Sequence, residues 1–135
     1  MGDAVRQMRL VVTADDYDDA LRFYRDVLGM PELGAFTSPG GRVTILDGGR
    51  ATLELADPPH AAYIDGVEVG RRVAGHVRVA FEVGDAEAAT QRLVHGGATL
   101  VAPPVETPWR SLNARVEGPA GLQLTLFQNL EPELG

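Results

Sequence analysis

Arg9-Leu-Val-Val-Thr-Ala-Asp-Asp16 and Arg78-Val-Ala-Phe-Glu-Val-Gly-Asp85 stand sixty-nine residues apart and read alike. Each alternates in the period of a half-buried strand and runs into an Asp whose carboxylate suits the start of a helix. Behind the first come Ala20, Phe23, Tyr24 and Val27 at helical spacing, closed by Gly29; behind the second come Ala86, Ala89, Leu93 and Val94, closed by Gly96-Gly97. Working outward, each half then holds three extended segments parted by turn residues. They cover 32–37, 42–47 and 50–56 in the first half, and 98–102, 111–117 and 122–128 in the second. The chain is thus an internal repeat of two βαβββ modules, an α+β pattern. Module one spans about 8–56, a connecting loop 57–74, module two about 75–128, and an acidic tail 129–135. The connection, with Pro58-Pro59 and Gly66, is longer than a compact fold needs and is a candidate lid.

Composition narrows the function. A chain of 135 residues, 44% hydrophobic and 23% charged, is one globular domain with a real core. No apolar run approaches the ~20 residues of a membrane span. The opening residues lack a positive-then-apolar leader, and Arg6 occupies the place where a myristoylation signal needs Ser or Thr, so a cytoplasmic protein is expected. The absence of cysteine excludes thiol nucleophiles, disulfides and Cys-bound metal clusters. A net charge of −7 opposes the phosphate contacts that drive nucleic-acid binding. All twelve basic residues are Arg, which excludes Schiff-base lysine chemistry.

The run Asp15-Asp-Tyr-Asp-Asp-Ala-Leu-Arg-Phe-Tyr-Arg-Asp-Val-Leu-Gly29 resembles the first-module signature of the vicinal-oxygen-chelate superfamily, which holds glyoxalases, bleomycin resistance proteins and extradiol dioxygenases. Phe81-Glu-Val-Gly-Asp85, Pro104-Val-Glu-Thr-Pro-Trp109 and Glu117-Gly-Pro-Ala-Gly-Leu-Gln-Leu-Thr-Leu126 are similar to its second-module landmarks. The resemblance covers about residues 8–128. It implies that each βαβββ module curves into a half-barrel and that the pair encloses a cavity. It also implies a homodimer. Because one scaffold hosts unrelated activities, function has to be argued from the site.

Carried over from the family, the metal-ligand positions are Arg9, Glu54, Arg78 and Thr125. The repeat supports that alignment: Arg9 lies seven residues before Asp16 as Arg78 lies before Asp85, and Leu53-Glu54-Leu55 matches Leu124-Thr125-Leu126. Of the four, Glu54 alone could ligate a metal, since arginine stays protonated and offers no lone pair. No metal and no cofactor is expected. His76 begins the second-module strand two residues before Arg78, while His60 and His95 fall in the connection and at a helix end.

If Arg9 points inward, alternation sends Val11 and Thr13 with it and places Leu10 and Val12 under the helix. By the same rule Thr52 accompanies Glu54, Ala80 and Glu82 accompany Arg78, Gln123 and Phe127 accompany Thr125, and Phe81 joins the core. The two arginines admit two readings. They could donate forked hydrogen bonds to a ligand's oxygens, or they could pair with Glu54 and Glu82 and fill an abandoned site. Trp109 sits where the family often carries a Trp at the cavity mouth, and Phe36, His60 and Tyr63 lie on elements that could cover it.

Other apparent motifs fall away. Asp15, Asp16, Asp18 and Asp19 mimic a calcium loop, but Leu21 stands where that loop requires Gly. Gly40-Gly41 and Gly48-Gly49 lack the strand-to-helix context of a phosphate loop. Nothing supports a hydrolytic triad. The expected function is therefore metal-independent sequestration of a bulky aromatic natural product or antibiotic, close in character to the family's metal-free antibiotic-binding members. No catalytic residue is assigned, and the ligand-binding set is Arg9, Val11, Phe36, Glu54, Tyr63, Arg78, Trp109, Gln123, Thr125 and Phe127. The alternative is a lyase, isomerase or dioxygenase with an unorthodox site and Glu54 as general base; an accessory module without chemistry is the third reading.

Overall fold

Alternation along the first strand sorts its side chains between two faces, and that sorting organises the molecule. The computed structural model describes residues 5–130. Strand β1 (Gln7–Thr13) leads to helix α1 (Tyr17–Leu21), which continues as a wider π-helical turn over Arg22–Val27. Three strands follow, β2 (Glu32–Ser38), β3 (Gly41–Asp47) and β4 (Ala51–Ala56). The second module repeats the order with β5 (Val77–Glu82), α3 (Ala86–His95), β6 (Thr99–Glu106), β7 (Ser111–Glu117) and β8 (Gln123–Asn129). Between the modules lies α2 (Pro58–Glu68).

The eight strands form one curled, unclosed sheet in the order β2-β3-β4-β1-β5-β8-β7-β6. The repeat is visible in the pairing: β1 runs parallel to β4 and β5 parallel to β8, while β1 and β5 meet antiparallel at the centre and join the modules. On the outer face, Tyr17, Leu46 and Leu55 form a core under α1 with Val12, Ala20, Leu21, Tyr24, Met30 and Leu53 around them. Val83, Ala86, Ala89 and Leu126 form its counterpart under α3, packed by Phe81, Leu93 and Leu112. Fully buried leucines such as Leu46 and Leu55 each contribute about 1.5–3 kcal/mol.

Asp16 and Asp85 cap their helices as expected, accepting hydrogen bonds from the backbone N–H groups of Asp19 and Ala88. The inward stripe of the first helix starts earlier than the spacing suggested. Tyr17, Ala20, Leu21 and Tyr24 face the core, whereas Phe23 and Val27 are exposed. The Leu28 N–H reaches back five residues to the Phe23 carbonyl, which opens the turn. Val94 is likewise exposed, and Leu10 is exposed rather than packed under a helix.

The larger correction concerns 57–74. The expected loop is a helix over eleven of its residues, Pro58–Glu68. Asp57 caps it by accepting from the His60 N–H at 3.0 Å, and Pro58 sits where a helix's first turn has no N–H partner to lose. Pro58-Pro59 is thus a helix start, not a loop signal. Strand β6 also outruns its expected end at Ala102, continuing through Pro103-Pro104 to Glu106. Prolines are tolerated there because β6 is a sheet edge, and its pairing with β7 shifts register near them. Of the expected acidic tail, residues 131–135 lie outside those described. Among the described residues no helix is long and apolar enough to cross a membrane.

Candidate functional site

The inner face of the sheet carries the residues that alternation sends away from α1 and α3. Register sets Val11 of β1 beside Arg78 on one side and Glu54 on the other, while Arg9 lies opposite Ala80, and Ala80 opposite Thr125. The small side chains of Val11 and Ala80 leave space between the longer ones. The result is a cavity of about 400 Å³ against the inner face, within the range of organic-ligand pockets.

Eight of the ten residues expected to bind ligand line this cavity: Arg9, Val11, Phe36, Glu54, Arg78, Trp109, Thr125 and Phe127. Two do not. Tyr63 packs behind the wall, its ring 6.3 Å from Trp109 and 6.0 Å from His60. Gln123 accepts from Arg115 and donates to Glu117, each at 3.4 Å. Val43, Ile45, Ile64, Glu68, Ser111 and Asn113 also line the cavity and are not among the residues expected from the sequence. Ile64 and Glu68 come from α2 and were invisible while that segment was read as loop. Ser111 and Asn113 show the strand alternation of β7, a signal that could have found them.

The two equivalent arginines have different surroundings. The Arg9 guanidinium has three contacts: Nε donates to Gln7 Oε1 at 2.8 Å, Nη1 lies 3.4 Å from Glu54 Oε2, and the planar group rests 4.5 Å over the Phe127 ring. Arg78 donates through Nη1 to Thr125 Oγ1 at 2.8 Å, and among the described residues no carboxylate lies within ion-pairing distance of it. Glu82, a pairing candidate, instead accepts from Asn129 Nδ2 at 3.2 Å. Burial lowers the pKa of Arg78, opposed by the charge of Glu68, helped by Arg115, and opposed again by Glu54 and Asp65.

Behind the cavity wall, α2 is bound to β7 by a buried charge network. Arg115, wholly shielded from solvent, donates through Nη1 to Asp65 Oδ1 at 2.9 Å and through Nη2 to Glu68 Oε1 at 2.8 Å. Asn113 Nδ2 and Thr125 Oγ1 complete the shell of Glu68 at 2.7 and 3.0 Å. The second Asp65 oxygen accepts from Arg72 Nη1 and from the Val73 and Ala74 N–H groups. Burial alone would raise the pKa of Asp65, but the two backbone donors and the guanidinium groups of Arg115 and Arg72 bring it below the usual carboxylate value. Tied down in this way, α2 forms part of the cavity wall through Ile64 and Glu68.

The histidines are spread out. His60, on α2, is buried with Nδ1 2.6 Å from Ser38 Oγ, and desolvation lowers its pKa, opposed by Asp57 and aided by Arg78. His76 stands at the entrance to β5 with Nδ1 2.9 Å from the Thr13 carbonyl, and His95 ends α3. The donor set does not fit the divalent metal that the family's enzymes use. Glu54 is engaged by Arg9, Thr125 by Arg78, and among the described residues no three His, Asp or Glu side chains gather as a metal would require.

Comparison with known proteins agrees with this architecture. A search of the curated proteins found no match. Among solved structures, a hypothetical protein of Bacillus halodurans is 21% identical over 100% of both chains, with a TM-score of 0.68. Methylmalonyl-CoA epimerase from Streptomyces coelicolor, in complex with 2-nitronate-propionyl-CoA, is 19% identical over 95% of this chain and 100% of its own, with a TM-score of 0.67. 4-Hydroxymandelate synthase from the same organism is 23% identical over 97% of this chain and 40% of its own, with a TM-score of 0.61. These likenesses establish the shared fold. Residues 6–126 match the Glyoxalase/Bleomycin resistance protein/Dioxygenase superfamily, and with the paired βαβββ modules around one cavity, the chain belongs to that superfamily.

Proposed function

We propose that this protein is a metal-independent small-molecule binder that sequesters an aromatic natural product or antibiotic in the cavity between its modules. The observation that carries the reading is Arg78. It is a guanidinium lining the cavity, at a position where the family's enzymes hold a metal ligand, and among the described residues it has one hydrogen-bond partner and no paired carboxylate. Such a group repels a divalent cation and attracts a ligand oxygen. Phe36 and Trp109 offer aromatic surface to the same ligand, and Val11, Val43, Ile45 and Ile64 supply apolar wall. The enzymatic reading, with Glu54 as general base, is less well supported because Arg9 already engages that carboxylate.

The ligand set is then Arg9, Val11, Phe36, Glu54, Arg78, Trp109, Thr125 and Phe127, with Tyr63 supporting Trp109 from behind. The chain acts as a single domain and as a cytoplasmic homodimer, which sedimentation across a range of concentrations tests directly. Binding itself is tested by the lone tryptophan. Titration with a panel of aromatic natural products should quench or shift Trp109 fluorescence saturably with at least one of them. A divalent metal retained stoichiometrically by the purified protein would overturn the proposal.

A further inference from the structure

Among the described residues, Arg78 is the guanidinium of the cavity lining that has no carboxylate within ion-pairing distance. Arg9 faces Glu54. Arg115 faces both Glu68 and Asp65, and Arg72 completes Asp65. Apart from Arg72, whose side chain is 42% exposed, Arg9, Arg78 and Arg115 stand against Glu54, Asp65 and Glu68, but those three carboxylates are all engaged by guanidinium groups other than Arg78. The remaining inward carboxylate, Glu82, is four residues along β5 from Arg78, about 13 Å away at the strand's rise per residue, and is held by Asn129. The buried His60 adds no cation, since desolvation favours its neutral form.

Of the two arginines that line the cavity, Arg78 has the more unused hydrogen-bonding capacity. A guanidinium carries five N–H donors, and Thr125 Oγ1 accepts from Arg78 at 2.8 Å. That acceptor cannot neutralise it, because a hydroxyl carries no charge; it in turn donates to Glu68, whose carboxylate Arg115 already engages. A cation partly removed from water with no counter-charge in direct contact is costly, and a ligand anion would repay the cost.

Resting on the binding reading above, we infer that the cavity selects a singly charged aromatic oxyanion, a carboxylate or phenolate on a skeleton of one or two rings, with its charged oxygens on Arg78. The selection runs against the protein's net charge of −7, so it is a property of the cavity and not of long-range attraction.

Titration calorimetry of the full chain with 2-naphthoate and with 2-naphthamide, matched in shape and differing in charge, tests this. The carboxylate should bind at least about tenfold more tightly, the equivalent of one charge-assisted hydrogen bond. Arg78→Gln should bring the two affinities together, and Arg78→Lys, which keeps the charge, should preserve the order. Glu54→Gln releases Arg9 from its partner and should widen the ratio further. Equal affinities, or a preference that survives Arg78→Gln, would overturn the anion assignment while leaving the binding reading intact. If neither compound binds and neither perturbs Trp109 fluorescence, both fall.

Discussion

Arg115 Nη2 donates to Glu68 Oε1 at 2.8 Å across the junction of α2 and β7, with Arg115 wholly buried and Glu68 3% exposed. Removing the arginine would strand Glu68 and half of the Asp65 shell without their cation. Arg115→Met should therefore destabilise the fold by about 3–5 kcal/mol, read as a lower midpoint in urea. Arg72→Met, whose guanidinium is 42% exposed, should cost less than Arg115→Met in the same assay, because solvent screens its pairing.

Gly41 opens β3 directly beneath the start of α2. A Cβ there would lie 2.3 Å from the His60 backbone nitrogen and 2.7 Å from its Cα. Backbone cannot yield as a side chain can, so Gly41→Ala should cost about 1–3 kcal/mol and disturb the helix cap at Asp57. Thermal denaturation measures the cost. Hydrogen exchange at the first turn of α2 should rise with it, and unchanged protection there would contradict the packing described.

The two arginines should answer substitution differently although the repeat makes them equivalent. Arg9→Met takes the cation from Glu54 and the packing from Phe127, and should destabilise by about 1 kcal/mol, as expected for a partly solvated pair. Arg78→Met removes a charge that, among the described residues, has no carboxylate within ion-pairing distance, and should leave the melting temperature unchanged or higher. Side-by-side calorimetric melts decide it; a larger loss for Arg78→Met would mean that its charge is balanced within the fold.

Acidification should weaken the protein in two stages. His60 has a lowered pKa in the folded state, so below its ordinary value of 6.5 the unfolded chain binds a proton that the folded chain resists, and stability falls as pH drops through that window. Asp65 has a lowered pKa as well, so its contribution is complete above its ordinary 3.8 and is lost as pH falls further, through the folded value. Urea midpoints between pH 7 and 3 should show both slopes. His60→Asn should remove the first and leave the second.

How much of this was readable in advance follows from the range of the interactions involved. Strand alternation is local, and it placed Arg9, Val11, Glu54, Arg78, Thr125 and Phe127 on one face because successive side chains must point opposite ways. The repeat then brought Arg9 and Arg78 to matching places around one cavity, and the absence of ligating side chains at three of four family positions could be read without coordinates. The helix at 58–68 was also locally encoded, in Asp57 and Pro58, although two prolines in succession resemble a loop. Tertiary structure alone decided the rest. Glu68 meets Arg115 across 47 residues of chain, and no periodicity records such a meeting. Whether an inward arginine is paired or free depends on side-chain positions across neighbouring strands. That geometry engages Arg9 with Glu54 and, among the described residues, leaves Arg78 with no carboxylate within ion-pairing distance.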